Sequence, residues 1–167
     1  MSSIIKVDQI QLADGSTPTA ADLGVETPGS ILNTWTAYST ATDTTTSTNW
    51  VTATNLSIVL TPTSTSSKFI LMFNGGGPFI NAVGSIICTF GRNGSAVHQA
   101  GYGLSRFYEG DPAGPSIAPH SMSFIDAPNT TAQLTYAVFY KSLGGQEVQF
   151  NNIDRGAPQF NILEIAG

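Results

Sequence analysis

Lys68-Phe69-Ile70-Leu71-Met72-Phe73 is the segment on which the fold turns. Side chains along a strand alternate between faces, so Phe69, Leu71 and Phe73 share one side while Ile70 and Met72 make the other side apolar too. Such a strand lies at the centre of its sheet or meets a neighbouring subunit. The run from Leu134 to Tyr140 repeats the pattern: Leu134, Tyr136, Val138 and Tyr140 oppose Thr135, Ala137 and Phe139. One of these faces is expected to serve an oligomer contact.

Outward from these two runs, strand-like segments recur about every ten to twelve residues with turn residues between them, as in a sandwich or barrel rather than in βαβ units. The clearest cover 33–38, 56–61, 68–74, 85–92, 121–126, 134–141, 147–151 and 159–165, with weaker ones at 49–53, 96–99 and 101–107. No segment carries sustained helical periodicity. Arg92-Asn93-Gly94-Ser95 reads as a hairpin, because Asn-Gly accepts the positive φ of a type I′ turn, and Leu143-Gly144-Gly145-Gln146 reads as a second. Both make the ladder antiparallel. Tyr108 to His120, with Gly110, Pro112, Gly114, Pro115 and Pro119, reads as one extended surface loop.

Composition agrees. Of 167 residues only 10% are charged, against roughly 25% in ordinary soluble domains, so Ser, Thr and amide side chains must wet the surface. Thr suits a pleated, half-exposed surface, whereas the residues that favour helices are scarce. An apolar fraction of 41% with nine Phe and five Tyr excludes a disordered Ser/Thr stalk. A formal charge of −5 and six scattered basic residues oppose a phosphate-neutralising surface, so no nucleic-acid partner is expected. No apolar run approaches the roughly 20 residues of a membrane span, and Met1-Ser2-Ser3 lacks the character of a signal peptide. Synthesis in a cytoplasm without membrane insertion is the expectation.

The chemistry-bearing residues form no reactive set. Cys88 stands alone within Ile86-Ile87-Cys88-Thr89-Phe90 and reads as a small core residue. His98 and His120 lack a paired ligand spacing, and no metal or cofactor is expected. His120, Ser121 and Asp126 are residue types of a hydrolytic triad without a nucleophile elbow. Gly75-Gly76-Gly77-Pro78 lacks the Lys-Ser or Lys-Thr of a phosphate loop. Glu109 and Asp111 sit two residues apart in the Pro/Gly segment and read as solvated rather than catalytic. Three Asn-x-Ser/Thr matches, at Asn55, Asn93 and Asn129, are what a Ser/Thr-rich chain produces by chance. No enzymatic activity is expected. The remaining candidates are contacts to a sugar-bearing receptor beside the long segment: Tyr102, Phe107 and Tyr108 as stacking rings, with Glu109, Asp111 and His120 next to them.

The first thirty residues differ from the rest. Ile5-Lys6-Val7-Asp8-Gln9-Ile10-Gln11-Leu12 alternates, ends at Asp14-Gly15, and is followed by a helical turn stopped by Gly24. Thr27-Pro28-Gly29-Ser30 then breaks the chain, dividing an arm, 1–30, from a body, 31–167. Burying Ile4, Ile5, Val7, Ile10 and Leu12 would contribute on the order of 8–15 kcal/mol, while ordering a dozen residues costs about 12–24 kcal/mol. The arm therefore reads as a docking strand that needs hydrogen-bond partners from another chain, with Leu23 completing the set of anchoring residues. Several arms on one oligomer would turn weak contacts into durable attachment.

Ile5-Lys6-Val7-Asp8-Gln9-Ile10, with Ala13-Asp14-Gly15 and Pro18-Thr19-Ala20-Ala21-Asp22-Leu23-Gly24, resembles the N-terminal segment of virion proteins of tailed bacteriophages, particularly marine and cyanobacterial ones. Ser123-Phe124-Ile125-Asp126-Ala127-Pro128 with Thr135-Tyr136, and the terminal Ile162-Leu163-Glu164-Ile165, resemble the jelly-roll knobs of phage fibres and capsid decoration proteins. The resemblance implies an antiparallel jelly-roll β-sandwich behind an extended anchor arm. It also implies a homotrimer on the virion surface that is fastened to capsid or tail proteins. The shaft of a long tail fibre is missing, which favours a capsid decoration (cement) protein or short fibre. A receptor-binding knob that recognises a host surface glycan is the alternative.

Overall fold

The computed structural model describes residues 11–18, 28–75, 77–80, 83–98, 101–110, 116–117, 120–151 and 156–167. Its strands are β1 (Ile31–Tyr38), β2 (Asp43–Thr45), β3 (Val51–Leu60), β4 (Lys68–Gly75), β5 (Phe79–Ile80), β6 (Gly84–Arg92), β7 (Ser95–Ala96), β8 (Ser105–Glu109), β9 (Ser116–Ile117), β10 (His120–Asp126), β11 (Leu134–Ser142), β12 (Val148–Asn151) and β13 (Gln159–Ile165). The described residues include no helix.

Every pairing is antiparallel. One sheet runs β1-β13-β4-β10, and a second runs β3-β11-β6, with β7 and β8 sharing the far edge of β6. Setting aside the short strands, the eight long ones are shared between the sheets as in a jelly roll: first, eighth, third and sixth in one, second, seventh, fourth and fifth in the other. Four short strands, β2, β12, β5 and β9, come from the four connections at one end and pair there in that order as a third sheet.

The core lies between the two long sheets. Phe69, Leu71 and Phe73 of β4 and Phe160 and Ile162 of β13 are buried against Tyr136 and Val138 of β11 and Ile86, Cys88 and Phe90 of β6. Rings meet across the gap: Phe69 lies 5.6 Å from Tyr136 and Phe90 5.4 Å from Phe160. Phe73, Phe150 and Tyr140 stack in a chain towards the third sheet. Cys88 occupies the core as a small apolar residue, fully buried.

β4 is central, flanked by β13 and β10. Its second apolar face, Ile70 and Met72, points outward and is half-buried. On β11 the outward Phe139 is covered within the chain instead. Its ring lies over Gly91 of β6, where an added Cβ would sit 2.3 Å from Phe139 Cζ.

Three readings of the sequence need correction. Segments 49–53 and 56–61 are one strand, β3, interrupted by a bulge: Ala137 faces Ser57 but Phe139 faces Thr52. Asn55 takes φ of 61° there, and Thr54 anchors the bulge by donating from N and Oγ1 to the Asp43 carboxylate at 2.9 and 2.5 Å. The Gly144-Gly145 turn makes no hairpin, because β12 pairs with β2 and β5 in the third sheet rather than with β11. Tyr108 to His120 is not a plain loop. β8 runs to Glu109, β9 joins the third sheet, and β10 starts at His120. The Asn93-Gly94 turn is as expected, with φ of 50° and 81° and Arg92 opposite Ser95.

Candidate functional site

Besides Asp43, held by Thr54, two carboxylates of the body are fixed by internal donors. Asp126 Oδ2 accepts from Arg92 Nη1 at 2.7 Å and from Tyr136 Oη at 2.6 Å. Burial, and then the Asp126 carboxylate, push the Tyr136 hydroxyl pKa far up. Glu164 is fully buried and accepts from Thr63 N at 2.6 Å, Thr63 Oγ1 at 3.0 Å and Asn33 Nδ2 at 2.8 Å. Burial alone would raise its pKa, but these donors together with Ser67 outweigh it and hold the carboxyl below its ordinary value. Both groups join strands and are engaged inside the fold.

The outer face of β3-β11-β6-β8 is different. By register, Lys141 of β11 lies opposite Ile87 of β6, which lies opposite Arg106 of β8. Trp50, one residue before β3, extends this row, and the Lys141 ammonium sits 4.4 Å from its ring centre. At the other end the Arg106 guanidinium lies 4.8 Å from the Tyr102 ring centre and 5.1 Å from that of Tyr108. Its Nε and Nη2 both donate to Ser85 Oγ, at 3.0 and 2.9 Å. Tyr102 and Tyr108 remain more than half exposed, at 57% and 56%. Among the described residues the one ion pair is Arg92–Asp126. Arg106 and Lys141 are thus cations held over rings rather than against carboxylates.

Of the residues expected to meet a receptor, Tyr102 and Tyr108 stand together on this face. Phe107, on the opposite side of β8, is partly buried against the core. Glu109 and His120 are buried, at 5% and 3% exposure, and Asp111 lies outside the described residues. The two ring nitrogens of His120 have no hydrogen-bond partner, so neither Ser121 nor Asp126 engages it. Burial pushes its pKa down to about 4. Of the anchoring residues, Leu12 is exposed. Ile4, Ile5, Val7, Ile10 and Leu23 lie outside the described residues.

Arg106, Lys141 and Trp50 were not singled out from the sequence. The i, i+2 spacing of Arg106 and Tyr108 was a legible sign for one of them. Lys141 and Trp50 reach the same row only through strand pairing.

The outer face of β1-β13-β4-β10 is the other distinctive surface. Register aligns Leu163, Ile70 and Ile125 in one row and Asn161, Met72 and Ser123 in the next. Ile31 and Ile165 pair beside them. Ile125 is 63% exposed. No family model and no curated protein sequence matches the chain.

Proposed function

We propose that the chain is a non-enzymatic structural protein of a bacteriophage particle. In this reading a jelly-roll module is held by its N-terminal arm to capsid or tail proteins and assembles as a homotrimer on the virion surface. Jelly rolls host many functions, so the fold alone does not carry the assignment. The observation that carries it is the outer face of β1-β13-β4-β10, where Ile70, Ile125, Leu163 and Ile165 share a surface with Thr, Asn and the exposed Lys68 and without a carboxylate. Contiguous exposed apolar surface of this kind suits assembly with another chain. The arm resemblance supplies the class of assembly.

The test combines location and assembly. Labelled antibody should mark intact particles at many regular positions. The purified protein should sediment as a trimer that Ile125→Asp with Ile70→Asp shifts to monomer with an unchanged β-type circular dichroism spectrum. Particles without label, or a wild-type monomer at all concentrations, would remove the reading.

The exposed Tyr102 and Tyr108 beside Arg106 favour a second reading, a knob that contacts a host surface glycan. It predicts that Tyr102→Ala with Tyr108→Ala lowers adsorption of particles to host cells while particle yield is unchanged. Undiminished adsorption would reject it.

A further inference from the structure

We propose that the row running from Trp50 and Lys141 to Arg106, with Tyr102 and Tyr108, is a binding platform for a carboxylate-bearing polysaccharide such as a polyuronate. This inference rests on the glycan-contact reading above and names the chemistry of the glycan.

The guanidinium carries the argument first. Arg has five N–H donors in a fixed fork, and Ser85 Oγ takes one from Nε and one from Nη2. Those two bonds occupy the Nε–Nη2 edge and leave the Nη1–Nη2 end, where one N–H of each nitrogen points the same way, the geometry that receives a carboxylate in two-point contact. The two tyrosine rings against the same guanidinium stay largely exposed. A sugar ring can lay its C–H face on such a ring while its carboxylate turns to the fork.

The second cation sets the length of the ligand. Lys141 and Arg106 flank Ile87 on adjacent strands, so their backbones stand about 10 Å apart at strand spacing. That is comparable to the length of a disaccharide. Each cation has an aromatic partner, so the unit of ring plus positive charge occurs at both ends of the row. A polymer with acidic groups spaced along a chain of pyranose rings matches this repetition, whereas an acidic peptide brings carboxylates without sugar rings to lay on the aromatic faces. The chain as a whole opposes loose attraction of polyanions, since its formal charge is −5. Retention by a polyuronate would therefore report the local site.

Affinity electrophoresis of the purified full-length protein tests this, with polygalacturonate in one gel and its fully methyl-esterified form, which keeps the rings and removes the charge, in another. Retardation is expected in the acid polymer and weaker retardation in the ester. Arg106→Gln should weaken binding to the acid polymer about ten- to a hundredfold, the loss of a charge-assisted two-point contact. Lys141→Gln should weaken it by a smaller factor, and Arg106→Lys should fall between wild type and Arg106→Gln. Thermal midpoints close to wild type verify that the variants fold. Equal retardation by acid and ester would overturn the carboxylate assignment while leaving the glycan reading standing. No retardation by either polymer, with particle adsorption still sensitive to the tyrosine pair, would overturn the choice of polyuronate. Wild-type binding by both Arg106→Gln and Lys141→Gln would overturn the site.

Discussion

His120 couples stability to pH, and the sign follows from its burial. Both ring nitrogens are buried without a partner, and burial lowers the pKa from 6.5 to about 4. Above pH 6.5 the imidazole is neutral in both states and contributes no pH dependence. Between 6.5 and about 4 the unfolded chain takes up a proton that the folded chain refuses, so stability falls as pH falls. Each unit of separation is worth about 1.4 kcal/mol, so the full loss is about 3 kcal/mol, complete near pH 4. Glu164 acts in a lower window: its carboxyl is held below 4.5, so its contribution is present above that value and is lost only beneath it. Urea unfolding between pH 7.5 and 4.5 therefore isolates the histidine, with Trp35, packed 6.4 Å from Phe69, as the fluorescent reporter. His120→Leu should remove that part of the slope and cost little at pH 7.5, because no hydrogen bond is lost. An unfolding free energy flat across this range in wild type, or an unchanged slope in His120→Leu, would refute the reasoning.

Other outcomes follow from packing. Gly91→Ala should destabilise by about 1–3 kcal/mol, as overpacking does, because its Cβ would enter the Phe139 ring; Phe139→Leu in the same chain should recover part of the loss in a double-mutant cycle read by urea unfolding. Glu164→Ala should cost about 1–3 kcal/mol by removing the charged acceptor of Thr63 N, Thr63 Oγ1 and Asn33 Nδ2, and amide exchange should quicken at Thr63. The Cys88 thiol is buried, and burial pushes its pKa far up. Native protein should therefore resist iodoacetamide and react at the rate of unfolding; rapid labelling under native conditions would contradict its place in the core.

Period-two patterning and turn chemistry were enough to read most of the long strands. Phe69, Leu71 and Phe73 alternate because only one side of β4 meets the opposite sheet, and Asn93-Gly94 adopts positive φ because those residues tolerate it. β3 was read as two strands because its bulge breaks the alternation at Thr54 and Asn55. β5 and β9, of two residues each, leave no period to detect.

Local sequence by itself determined that the chain is all-β, antiparallel and low in charge, with an aromatic-rich core, since strand faces and tight turns depend on neighbours one to four residues apart. Only the tertiary structure decided the jelly-roll order, in which β1 borders β13 and the chain's four end connections build a third sheet, because such pairings join residues from tens to more than a hundred positions apart. The same long-range register put Trp50 and Lys141 in one row with Arg106, and turned Glu109 and His120 inward although their own sequence suits a surface.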